Sequence, residues 1–159
     1  MKLSGNKGFS IVELIVVIAI MAALVGILAP LMVRYVEKSR QSADIQNLDS
    51  VVDALEAFFA DKDVNTGASP TTVTATLGAP IQVSSMPSGM DPEADLVSMG
   101  FISAKGDDLP LKGHDWSPSG TGNSTVPSVV YNAASKQRIY TGESKYYKAN
   151  VAGTSIDVK

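Results

Sequence analysis

The sequence predicts an α+β fold, one long N-terminal helix packed on a small antiparallel β-sheet head. Three observations carry this. Residues 9–33 hold one charge, Glu13, in an otherwise apolar run. Residues 34–62 turn amphipathic and contain no Gly or Pro. Residues 126–158 break into short Val-, Tyr- and Ile-containing segments, separated by the turn sequences Ala-Ala-Ser-Lys, Gly-Glu-Ser and Ala-Gly-Thr.

The helix comes first. Residues 14–33 are uncharged for 20 positions. A cleaved secretory signal has an apolar stretch of only ~7–15 residues and a small-residue cleavage site. A membrane anchor fits better, because ~20 apolar residues at ~1.5 Å each cross the hydrocarbon core. Neither reading explains Glu13. A carboxylate costs on the order of 2.5–3.5 kcal/mol at the centre of a membrane helix, and less near its end. Such a residue is a candidate for function.

The residues Gly8-Phe9-Ser10-Ile11-Val12-Glu13 closely resemble the processing site of type IV prepilins and pseudopilins. The resemblance implies the pilin fold and a leader, residues 1–8, which carries Lys2 and Lys7. It also implies cleavage between Gly8 and Phe9 by a prepilin peptidase, and N-methylation of the new terminus at Phe9. Phe9 and Glu13 are four apart and share a helix face. When apolar helices bundle, the freed Phe9 ammonium and the Glu13 carboxylate both leave water, and each is then tolerable only if paired. Glu13 is therefore expected to neutralise the Phe9 amine of a neighbouring subunit and set axial register.

Pro30 lacks an N–H, so the helical bond back to the carbonyl of Gly26 is missing, and Gly26 is itself a poor helix former. The Gly26–Pro30 turn is expected to be the weak point of the helix, and the family commonly has a proline here. Lys2 and Lys7 favour a cytoplasmic N-terminus, although Arg34, Lys38 and Arg40 flank the other end.

Beyond residue 33, Ile45, Leu48, Val52, Leu55 and Phe59 follow steps of three and four. Val51 and Phe58 widen the stripe, while Lys38, Asp44, Asp49, Asp53 and Glu56 fall mostly off it. One helix is expected from Ser10 to Lys62, stopped by Asn65-Thr66-Gly67. The chain divides into a leader (1–8), a hydrophobic transmembrane and assembly half of the helix (9–33), an amphipathic half (34–62) and a globular head (63–159).

In the head, residues 67–89 read as a loop with one short strand. Asp91 and Pro92 open a short helix closed by Gly100, and Phe101 and Ile102 then enter the core. Strands are expected at 126–131, 138–140, 146–150 and 155–158, their inner face covering the helix stripe.

Little catalytic chemistry is available. One histidine, His114, beside Asp115 is too little for a triad or a zinc site, and there is no cysteine. Asp107, Asp108 and Asp115 could supply oxygens to calcium, but a solvated loop with Trp116 anchored on the core is the simpler reading, so no metal and no cofactor are expected. Asn123-Ser124-Thr125 matches a glycosylation sequon. No phosphate loop or nucleophile elbow is present. The formal charge of −3, which becomes −5 when Lys2 and Lys7 leave with the leader, argues against nucleic acid as a partner. The missing disulfide favours a Gram-positive or anaerobic bacterium.

The expected protein is not an enzyme. The resemblance implies a structural subunit held in the cytoplasmic membrane, single-pass and N-in, then assembled with copies of itself into a helical surface filament. Its implied partners are the peptidase and the pilus assembly platform with its ATPase, and its implied roles are adhesion, motility or biofilm formation. A pseudopilin of a type II secretion or competence system is the alternative. A membrane-anchored enzyme or binding protein would leave Gly8-Phe9 and Glu13 unexplained.

Overall fold

The computed structural model describes residues 8–61, 71–84, 90–113, 116, 125–150 and 152–158. The leader residues 1–7, the 65–67 stop, His114, Asp115 and most of the sequon lie outside them. The chain forms two compact units, residues 1–36 and 37–159. Helix α1, Ile11–Asp61, runs through both without a break.

In the first unit every described residue is exposed. Ile, Leu, Val and Met cover all sides of the helix there, so no solvated polar face exists. In the second unit α1 becomes one-sided. Leu48, Val51, Val52, Leu55, Phe58 and Phe59 are buried. Phe59 stacks on Tyr131 with ring centroids 5.9 Å apart.

Among the described residues the sheet has six strands: β1 (Thr72–Thr76), β2 (Gln82–Ser84), β3 (Thr125–Asn132), β4 (Gln137–Glu143), β5 (Tyr147–Ala149) and β6 (Ile156–Val158). Their order is β2-β1-β3-β4-β5-β6, and every pair is antiparallel. The four C-terminal strands form the expected meander. Residues 67–89 hold two strands where one was expected, and β1 lies inside the sheet, paired with both β2 and β3. The reason is visible in Thr-Val-Thr-Ala-Thr, whose period-two burial sends Val73 and Ala75 into the core. Gly142 (φ +143°) lies against Pro127 at the β3 irregularity, where an added Cβ would come within 2.8 Å of the Pro127 Cα.

Helix α2, Pro92–Ser98, sits where expected. The Asp91 side chain accepts from the Ala94 N–H at 3.3 Å. At the other end, Gly100 (φ +80°) donates to the Val97 carbonyl and Phe101 to the Leu96 carbonyl, both at 3.0 Å. That is a Schellman closure, which needs the left-handed residue that glycine supplies cheaply.

The α1 stripe differs from expectation at its upper end. Ile45 is half-buried, and Asp44 is fully buried in its place. Gln41 and Asp44 extend the three-and-four spacing upstream of Leu48, so polar side chains fill core positions. Each finds partners. Gln41 Oε1 accepts from Ser144 Oγ at 2.7 Å. The Asp44 oxygens accept from the N–H groups of Lys112 (2.9 Å) and Gly113 (2.7 Å). Among the acidic residues assigned to the outer side, Asp53 meets Arg138 of β4 at 2.9 Å, and Glu56 also pairs with it.

Candidate assembly segment

The segment is built from the start of α1. Gly8, Phe9 and Ser10 precede the helix and are exposed. Ser10 is the cap. Its Oγ accepts from the Val12 N–H at 3.3 Å, and its carbonyl from the Leu14 N–H at 3.2 Å. The Glu13 Oε2 reaches back to the Ser10 N–H at 3.0 Å. This is a capping box, in which one carboxylate and one hydroxyl satisfy donors that the helix leaves orphaned. A carboxylate in the first turn is also favoured by the helix dipole. Ser10 was not singled out in the sequence, yet Ser-x-x-Glu is the signal that would have found it.

The geometry holds Glu13 at the very end of the apolar helix, beside the residue that cleavage after Gly8 would expose. Gly26 and Pro30 lie further along, and the helix continues through both. Nothing lies within 4 Å of a Cβ added at Gly26, so a neighbouring backbone can approach closely there.

From Phe9 to Val33 the exposed surface is made mainly of large apolar side chains, with Phe9 81% exposed and Glu13 the one charge. Burying each Leu, Ile, Val or Met gains about 1.5–3 kcal/mol. Summed over the run, this far exceeds the few kcal/mol that hold ordinary folded states together, so the segment is not built to stand in water. It is also long and apolar enough to cross a membrane.

Of the three carboxylates weighed for calcium, Asp115 lies outside the described residues, among which no group of three or more His, Cys, Asp or Glu comes together. Asp107 is used locally, accepting from the Ala104 N–H at 2.8 Å. Trp116 is fully buried and stacks on Tyr147 at 6.4 Å. Its Nε1–H lies near the Asp44 carboxylate and favours its charged form, without a hydrogen bond of good geometry among the described residues.

An apolar helix with a carboxylate at its start, continuing into a helix packed on an antiparallel sheet, defines a pilin-like architecture. Comparison with known proteins names the class further. Residues 3–29 match the prokaryotic N-terminal methylation motif. The chain is 36% identical over 58 residues to the type IV major pilin protein PilA of Myxococcus xanthus (strain DK1622), a match covering 36% of this chain and 26% of that pilin. No solved structure gives a significant match. The chain is thus similar to type IV pilins, with the methylation motif in its N-terminal segment, and it spans about a quarter of the length of the curated pilin it matches.

Proposed function

We propose that this chain is the structural subunit of a type IV pilus. It is held in the cytoplasmic membrane, N-terminus inside, by residues 9–33. A prepilin peptidase cuts it between Gly8 and Phe9, the Phe9 amine is methylated, and the assembly platform and its ATPase stack the apolar helices into a surface filament. The observation that carries this reading is the wholly exposed apolar helix with one carboxylate, Glu13, at its start. The similarity to a major pilin supports a surface pilus over a pseudopilin fibre.

In the uncut chain the Glu13 carboxylate is occupied by the Ser10 N–H. Cleavage creates an ammonium on Phe9, a stronger partner than a neutral N–H, because two opposite full charges attract strongly once both are removed from water. In the filament core Glu13 neutralises the Phe9 amine of a neighbour and fixes register. The Gly26–Pro30 turn supplies give when helices pack or the filament is stretched.

The test is one variant beside the unaltered chain, each read for filament yield and for subunit mass. Glu13→Ala should abolish filaments and leave the loss of Met1–Gly8 intact by mass, with one methyl group added in the unaltered subunit. Full filament yield from Glu13→Ala would contradict the assembly role, and an intact leader in filament subunits would contradict the processing.

A further inference from the structure

The head carries a recess of about 300 Å³ where α1 meets the loop that follows α2. Its floor is apolar: Val51 of α1, Leu77 after β1 and Leu109 of the loop are each no more than 2% exposed. Half-buried Phe101 and exposed Pro110 form the walls. Backbone bonds tie these walls in place. Gly78 donates to the Leu109 carbonyl at 2.7 Å, and Leu109 donates to the Ala79 carbonyl at 3.1 Å. On the other side the Phe101 N–H is bound to the last turn of α2 through the Leu96 carbonyl, and the Pro110 ring fixes its own φ. The recess is therefore formed before anything enters it, and an occupant meets little ordering cost.

Two polar side chains stand at the mouth, the Asn47 amide from α1 and the Lys112 ammonium from the loop. Neither makes a hydrogen bond or ion pair among the described residues. No Asp or Glu among those residues lines the recess. Asp44, three positions before Asn47 on α1, has both oxygens held by the Lys112 and Gly113 N–H groups. An apolar floor under one cation and one amide is the arrangement of a small-molecule site, apolar in bulk with a few convergent polar groups.

We propose that this recess binds a small amphipathic carboxylate, a free medium-chain fatty acid, with its chain on Val51, Leu77 and Leu109 and its carboxylate at Lys112 and Asn47. Size sets the length of the chain. An apolar cavity of about 150 Å³ takes benzene, so one twice as large takes roughly ten carbons. Charge sets the head. A carboxylate accepts from the ammonium in a charge-assisted bond and offers its second oxygen to the Asn47 NH₂. A neutral or cationic head would leave both mouth groups desolvated without an acceptor of matching charge. Such binding needs no filament, so it stands apart from the pilus reading.

Photoaffinity labelling of the full chain in a non-ionic detergent tests this, with decanoate carrying a diazirine near its far end. Labelled peptides are mapped by mass spectrometry, which separates the recess from probe dissolved in the micelle around residues 9–33. Saturable labelling is expected around Val51 and on residues 100–110. Half-saturation should fall between about 10 μM and 1 mM, the range open to a ligand of a dozen heavy atoms. At equal free concentration, unlabelled decanoate should compete roughly tenfold better than decanol or decylamine. Lys112→Gln, at an exposed position, should weaken decanoate by about tenfold and leave decanol unchanged. A merely structural role of Lys112 would weaken both alike. Asn47→Trp, which fills the mouth, should abolish the saturable labelling; if that variant does not fold, Lys112→Gln decides alone. Labelling that never saturates, decanoate no better than decanol, or an unchanged Lys112→Gln would overturn the proposal. So would a lysophospholipid that competes as well as decanoate, since it carries no carboxylate. A cross-link from Lys112 to a carboxylate of a second copy, formed at the expense of the probe, would overturn it in favour of a protein occupant.

Discussion

Asp44 has no exposed surface, and both of its oxygens are held by backbone N–H groups of the 112–113 loop. Burial raises its pKa above the ordinary aspartate value, and the N–H groups of Gly113 and Lys112, the Trp116 indole and the Lys112 charge oppose that rise without cancelling it. The folded state therefore holds this proton more tightly than the unfolded state does. The resulting stability is complete below the unfolded pKa of about 3.8 and is lost as pH climbs through the higher folded value. Denaturation of the unaltered chain and Asp44→Asn in detergent should thus show the largest advantage for aspartate near pH 4, shrinking toward neutrality and then constant. At pH 7 Asp44→Asn should still cost about 1–3 kcal/mol, because an amide offers one acceptor oxygen to two buried donors. Gly113→Ala should cost a similar ~1–3 kcal/mol by overpacking, since its Cβ would sit 2.7 Å from Trp116 and 2.9 Å from Asp44. Ser10→Ala separates the two roles of the first turn. It removes the hydroxyl cap, at about 0.5–2 kcal/mol of helix stability, and leaves the Glu13 carboxylate in place. Filaments should therefore still form from Ser10→Ala and fail from Glu13→Ala. Equal loss of assembly in both would mean that Glu13 acts only as a cap.

At the scale of elements, α1 is held in the second unit by its apolar stripe and by ion pairs from Arg138 to Asp53 and Glu56. Phe59→Ala should destabilise the head by about 3–5 kcal/mol in a denaturation series, whereas changes to exposed Asp53 should stay below ~1 kcal/mol. Gly100→Ala should cost roughly 1–2 kcal/mol through its left-handed backbone alone. Both helices were legible because their signals are local: a three-and-four spacing for α1, an Asp-Pro start and a Gly stop for α2. The meander was legible from alternation and turns. Two features were obscured. β1 lies in a stretch whose Ser, Thr, Gly and Pro content reads as a loop, and only its tertiary pairing with β3 makes it central. Asp44 and Gln41 occupy stripe positions with polar side chains, so hydropathy hides their burial. Their partners, the 112–113 backbone and Ser144, are distant in sequence. The first turn is half legible: Glu13 stands out by its charge in an apolar run, whereas the Ser10 cap shows only through the Ser-x-x-Glu spacing.

For the whole molecule, the decisive contrast is between a head that buries its own core and an N-terminal helical segment, residues 8–36, all of them exposed. The head gives its hydrophobic residues partners within the chain. Residues 9–36 leave theirs exposed, and in the proposed function a membrane and then a bundle of identical helices cover them in turn. The central claim is that the chain ends in a polymer. Electron microscopy of cells labelled with antibody against residues 34–159 tests it most directly. Long surface fibres decorated along their length are the predicted result, and label confined to single molecules at the membrane would contradict it.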